Sequence, residues 1–195
     1  MQAARAIIHL ENLRRNILAA RNKIGPHPKI CFPVKADAYG HGVVPVSRCA
    51  LEAGVEYLAV ATLSEGMELR AAGINAPIML LSQTLPEDLP DIASHEFIIF
   101  VSDDEYIEEA AKTAGKKLTV HLKVDTGMGR LGCRPEDAAS LARKIASGAG
   151  LSLGGMATHL SVADSPEPGH IAYTKEQLRR FRAAVDAVKE AGVDL

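Results

Sequence analysis

The stretch Phe32-Pro33-Val34-Lys35-Ala36-Asp37-Ala38-Tyr39-Gly40-His41-Gly42 decides how the chain is read. An apolar run, Ile30 to Val34, ends in a lysine. A turn-rich segment with two glycines follows, and a second apolar stretch opens at Val43. That order predicts strand, loop and helix, with Lys35 where the strand stops. In parallel α/β folds this carboxyl edge of the sheet is where reacting groups collect. A lysine there, backed by an apolar strand, serves either as a base or Schiff-base former or simply as a solvated charge, as most lysines do. The residue alone does not choose.

Upstream, Ala4 to His9 is a short apolar stretch expected as a strand. Leu10, Leu13, Ile17, Ala20 and Ile24 then fall at three-and-four spacing on one helix face, closed by Gly25-Pro26. Downstream, helices are expected over Val43–Ala53 and Leu63–Ala72, and strands over Tyr57–Ala61, Pro77–Leu81 and Phe97–Val101. Pro86 and Pro90 make the segment Thr84–His95 a short or kinked helix. Ser102 and Glu105 form a capping-box pattern before a helix with Ile107, Ala110, Ala111 and Ala114 on one face, stopped at Gly115. A strand over Leu118–Val124 and a helix opened by Pro135 and ended near Gly148 follow. Leu151–Thr158 is a strand carrying paired glycines, Gly154 and Gly155. Thr174 and Gln177 are expected to cap a last helix burying Leu178, Phe181, Val185 and Val188.

Strand and helix thus alternate six times with short connections, which predicts an α/β protein with a parallel sheet and helices outside it. An open doubly wound sheet and a barrel both satisfy this pattern. A dinucleotide-type glycine fingerprint is missing after the first strand, which weakens the open-sheet reading.

The 195 residues are 47% hydrophobic and 24% charged, ordinary values for a folded domain. A net charge of −2 gives no reason to expect nucleic acid or an anionic membrane as partner. Cys31, Cys49 and Cys133 are an odd count without metal-ligand spacing, so free thiols in a reducing compartment are expected and no metal site is. No segment reads as a secretory leader or a bilayer span, and a cytoplasmic protein is the expectation.

A second informative stretch is His121-Leu122-Lys123-Val124-Asp125-Thr126-Gly127-Met128-Gly129-Arg130-Leu131-Gly132. Its glycines let the chain turn sharply past the strand end near Asp125. Lys123 and Arg130 then either face one cavity or stand as a surface lysine and a loop arginine held by a nearby carboxylate. Leu81 and His159 also fall at strand ends, where core packing and a site role are both open.

Over the nine residues Val34 to Gly42, and again over His121 to Gly132, the chain resembles the alanine racemases, and the likeness runs through essentially all of it. The resemblance implies a (β/α)8 TIM-type barrel that binds pyridoxal 5′-phosphate (PLP), here truncated after about six βα units. Residues 1–195 would be a partial barrel domain, without the β-rich C-terminal domain. It implies that Lys35 carries PLP covalently and is the base for one face of the substrate carbon. Tyr39 would bond the cofactor phosphate. Arg130 would donate to the PLP phenolic oxygen and help place the substrate carboxylate. Lys123 matches a lysine carbamylated in some members, where it orients that arginine. Leu81 would line the cofactor pocket and His159 would lie beside the ring. His41 is read as scaffolding, and Asp37 as orienting the loop.

The implied activity is interconversion of L- and D-alanine, supplying D-alanine for peptidoglycan, in a homodimer whose partner contributes a tyrosine as second base. None of Tyr39, Tyr57, Tyr106 and Tyr173 matches that tyrosine. The 195-residue chain alone is therefore expected not to racemise alanine, and to self-associate through open strand edges. Two rivals remain: a non-catalytic single-domain PLP-binding protein of PLP homeostasis, and a related racemase of broader amino-acid choice. The chain's length favours the first rival, whereas the two motifs favour the racemase.

Overall fold

The computed structural model describes residues 4–113 and 117–195. The chain forms two compact units divided between Ser82 and Gln83.

In the first unit, α1 (Leu10–Ile24) leads into β1 (Cys31–Pro33), a single helical turn α2 (Lys35–Gly40), α3 (Val43–Glu52), β2 (Tyr57–Val60), α4 (Leu63–Ala71) and β3 (Ile78–Leu80). The strands pair in parallel, β1 with β2 and β2 with β3, with Pro33 opposite Ala59 and Val60 opposite Leu80. Leu58, Val60, Leu69, Ile78 and Leu80 are fully buried between sheet and helices. Each such side chain contributes roughly 1.5–3 kcal/mol of transfer free energy.

The second unit runs through a 3-10 turn (Pro86–Asp88), α5 (Leu89–Ser94), β4 (Phe97–Val101), α6 (Asp104–Thr113), β5 (Leu118–Lys123), a 3-10 turn (Pro135–Asp137), α7 (Ala138–Ser147), β6 (Leu151–Ala157) and α8 (Pro168–Glu190). Here β4 pairs with β5 and β5 with β6, again in parallel. The register slips between Val120 and His121, which oppose Leu153 and Gly155 and leave Gly154 as the extra residue. A Cβ on Gly154 would lie 2.8 Å from Thr119 Cγ2 and 2.9 Å from His121 Nε2, so any larger residue in this bulge would push those two side chains aside.

Among the described residues there are thus six parallel strands and eight helices, the α/β architecture expected. Several details depart from the sequence reading. Ala4–His9 is not a strand; residues 4–9 carry no regular structure. The cap before α6 is Asp103, whose carboxylate accepts the Tyr106 N–H at 2.8 Å, one residue beyond the expected Ser102. Ala114 and Gly115, expected to end that helix, lie outside the described residues. The last helix begins at Pro168, so Thr174 and Gln177 lie inside it and cap nothing. Of the face expected to be buried, Val188 is, Phe181 and Val185 are half-buried and Leu178 is exposed, while Gln177 and Ala184 are buried instead.

Candidate active site

Lys35 follows β1 directly. Val34 before it is fully buried and donates its N–H to the Ala59 carbonyl at 2.7 Å, tying this end of β1 to β2. Lys35 itself is half-buried, and among the described residues its amine has no hydrogen-bond or ion-pair partner.

The backbone then does something the sequence did not announce. Ala36, Asp37, Ala38 and Tyr39 have φ of 51°, 53°, 51° and 56°, so α2 is a left-handed turn built from four residues that carry side chains. Such a conformation costs L-residues roughly 1–2 kcal/mol apiece and occurs where the surroundings hold it. The restraints are specific. Asp37 Oδ1 accepts the Val43 N–H at 2.6 Å, and the Asp37 carbonyl accepts the Gly42 N–H at 3.0 Å. His41 Nδ1 lies 2.9 Å from the Ala38 carbonyl and 3.1 Å from that of Tyr39; because carbonyls only accept, this nitrogen carries the proton. Glu65 Oε1 accepts the Ala36 N–H at 2.8 Å.

The turn leaves Tyr39 60% exposed. A cleft of about 640 Å³ passes beside it, lined by Phe32, Pro33, Ala38, Tyr39 and His41 together with the start of α1; Lys35 borders the sheet end rather than this cleft. Leu81 stands half-buried just past β3, its N–H bonded to the Val60 carbonyl at 2.8 Å.

In the second unit, Lys123 closes β5. Its ammonium lies 5.5 Å above the centre of the Phe100 ring. Burial, and then the nearby Arg130 charge, push its pKa below the ordinary lysine value. Arg130 is exposed and, among the described residues, has no carboxylate partner, which removes the alternative of an arginine pinned by an acid. The loop between them winds around Asp125. Burial alone would raise this carboxyl, but the backbone N–H groups of Gly127, Gly129, Met128 and Arg130 outweigh it and hold the group below the usual carboxylate range. The bonds from Gly127 and Gly129 measure 2.8 and 3.1 Å. The loop closes where Cys133 donates to the Lys123 carbonyl and accepts from Asp125 N–H, both at 2.9 Å. At Gly132, with φ of 139°, a Cβ would fall 2.3 Å from Asp125 N.

The family model described as "Alanine racemase, N-terminal domain" matches residues 8–195. The chain belongs to the alanine racemase family. It is 45% identical to the alanine racemase of Treponema denticola over all of this chain and 52% of that one. With the alanine racemase of Desulforamulus reducens it shares 41% identity over 96% of this chain and 51% of that one. Among solved structures, the alanine racemase from Bacillus anthracis with bound L-Ala-P superposes with a TM-score of 0.87 at 34% identity, covering 97% of this chain and 51% of that one. The enzyme from Clostridium difficile 630 superposes with 0.86 at 34%, covering 94% and 48%. The chain spans about half the length of the curated relatives it matches.

Of the residues singled out from the alanine racemase motifs, Lys35, Tyr39 and Leu81 lie in the first unit and Lys123, Arg130 and His159 in the second. Within the second, Lys123 and Arg130 are close enough for one charge to act on the other. The loop after β6, with His159, is joined to the Asp125 loop by a residue assigned no such role from sequence. Gln177 is fully buried and spends both amide hydrogens and its oxygen in one network. Nε2 donates to the His159 carbonyl at 3.1 Å and to Thr126 Oγ1 at 3.3 Å; Oε1 accepts from Ser161 N–H at 3.0 Å and Ser161 Oγ at 3.1 Å. From the same helix, Tyr173 OH donates to the Gly127 carbonyl at 2.7 Å and Arg180 to that of Thr126 at 3.1 Å. Glu65 was also missed, although Thr62-x-x-Glu65 carries the capping-box spacing that the structure confirms.

Proposed function

We propose that this chain is the lysine-bearing, PLP-binding part of an alanine racemase that interconverts L- and D-alanine, the D-isomer serving peptidoglycan synthesis. The observation that supports it most is Lys35: a half-buried amine without a partner among the described residues, at the carboxyl end of β1, inside the string that matches the family.

The donor set suits PLP. A primary amine can condense with its aldehyde, a phenol at Tyr39 can donate to its phosphate, and a guanidinium at Arg130, without a carboxylate partner among the described residues, can donate to its phenolic oxygen and to the substrate carboxylate. Leu81 would supply an apolar wall, and the family resemblance gives His159 a place beside the cofactor. When bound, PLP supplies the electron sink for a carbon that has lost its proton. The Lys35 amine would accept and return the proton on one face of that carbon. Arg130 would hold the substrate carboxylate. A carbamate on Lys123 would turn a cation into an anion paired with Arg130, and the lowered pKa of that lysine favours the neutral amine which reacts with CO2. The working protein, on this reading, is a cytoplasmic homodimer.

The test is borohydride reduction of the protein with PLP, followed by peptide mass mapping. A phosphopyridoxyl group on Lys35 is expected. Modification elsewhere, or racemisation that survives Lys35→Ala in the full-length enzyme, overturns the reading.

A further inference from the structure

The left-handed turn next to Lys35 is restrained unequally on its two sides. Toward its end, Asp37 and His41 hold it from within the same segment. At its beginning, Ala38 N–H reaches back to the Val34 carbonyl at 2.9 Å. Among the described residues, the one side chain that grips the peptide joining Lys35 to Ala36 comes from elsewhere: Glu65, 29 positions along the chain.

Glu65 divides its two oxygens. Oε2 takes the Ala61 N–H at 2.6 Å and the Thr62 N–H at 3.3 Å, completing the capping box of α4 with Thr62. Capping asks no more of it. Oε1 instead accepts the Ala36 N–H at 2.8 Å. One carboxylate therefore fastens the peptide after Lys35 to the end of β2, the strand already paired with β1. Without that acceptor, Ala36 has no side-chain restraint opposing relaxation from φ of 51° toward the right-handed region that L-residues prefer. Such a rotation would swing the lysine off the axis on which it leaves the strand.

We infer that Glu65 is a positioning residue for Lys35, acting through the Ala36 N–H to set the direction of the lysine amine. The inference rests on the reading of Lys35 as the reactive amine.

The experiment compares the unaltered protein with Glu65→Ala, Glu65→Gln and Thr62→Ala. It measures the rate at which PLP plus borohydride marks Lys35, and the hydrogen exchange of the Ala36 amide without PLP. Thr62→Ala damages the same helix cap but leaves the Glu65–Ala36 bond. Glu65→Gln keeps the volume and one oxygen, and serves if the alanine variant does not fold. Glu65→Ala is expected to slow marking roughly ten- to a hundredfold, as a misplaced reacting group does, and to expose the Ala36 amide. Glu65→Gln is expected to do both to a smaller degree, and Thr62→Ala neither. Unchanged marking in folded Glu65 variants, or equal slowing by Thr62→Ala, overturns the inference and leaves Lys35 standing. Marking of another lysine in the unaltered protein overturns the Lys35 reading and this inference with it.

Discussion

The side-chain amide of Gln177 donates to the backbone carbonyl of His159 across 3.1 Å, from the interior of a helix that begins nine residues earlier. The same side chain holds Thr126 and Ser161, so one buried residue ties the loops that follow β5 and β6.

Replacing Gln177 with leucine, close in volume, strands polar groups that it now satisfies. The expected loss is roughly 1–3 kcal/mol of stability, read by urea unfolding, because a buried group left without a partner costs its desolvation.

Glu176, beside it, behaves differently with pH. Its bonds to Arg179 and Arg180 lower its pKa from 4.5 to about 2. A carboxyl lowered on folding adds stability that is complete above its unfolded value and fades as pH falls through the folded one. The acid limb of thermal stability between about pH 4.5 and 2 should therefore flatten in Glu176→Gln, because the variant lacks this contribution at neutral pH and differs least from the unaltered protein near pH 2.

Two glycines should respond oppositely to alanine. At Gly132 a Cβ meets Asp125 N at 2.3 Å on a backbone with φ of 139°, so Gly132→Ala should cost more than about 1 kcal/mol. At Gly169, early in α8, a Cβ meets nothing within 4 Å, and Gly169→Ala should be neutral or stabilising by up to about 0.5 kcal/mol. Denaturation midpoints of the pair decide this.

Lys123 should take up CO2 more readily than a solvated lysine. Burial, then Arg130, lower its pKa, and carbamates form from the neutral amine, so the yield should rise with pH from a lower starting point. In 13C-enriched bicarbonate a carbamate resonance is expected by NMR, and it should vanish in Lys123→Arg.

Much of the fold was legible because apolar spacing carries it. Leu10–Ile24 and Phe97–Val101 came out at the bounds expected, the first from its caps and period, the second from β-branched and aromatic residues. The register of α8 was not legible. Leu178, Phe181, Val185 and Val188 look like a buried stripe, yet only Val188 of these is fully buried, and the helix turns Gln177 and Ala184 inward beside it. A glutamine whose bonds are all met inside is indistinguishable in sequence from one facing water. At the site, Lys35 and Leu81 were placed at strand ends by pattern alone. The handedness of Ala36–Tyr39 was not, because alanine and tyrosine carry no preference for positive φ, and the restraint from Glu65 comes from a distant part of the chain.

That handedness changes how tolerance to mutation should be interpreted. A saturation screen across Ala36–Tyr39 would penalise valine or isoleucine at either alanine because branched side chains fit this mirror-image winding worst. Intolerance there would record stereochemistry rather than participation in a reaction. Glycine, which is indifferent to hand, is the substitution that separates the two.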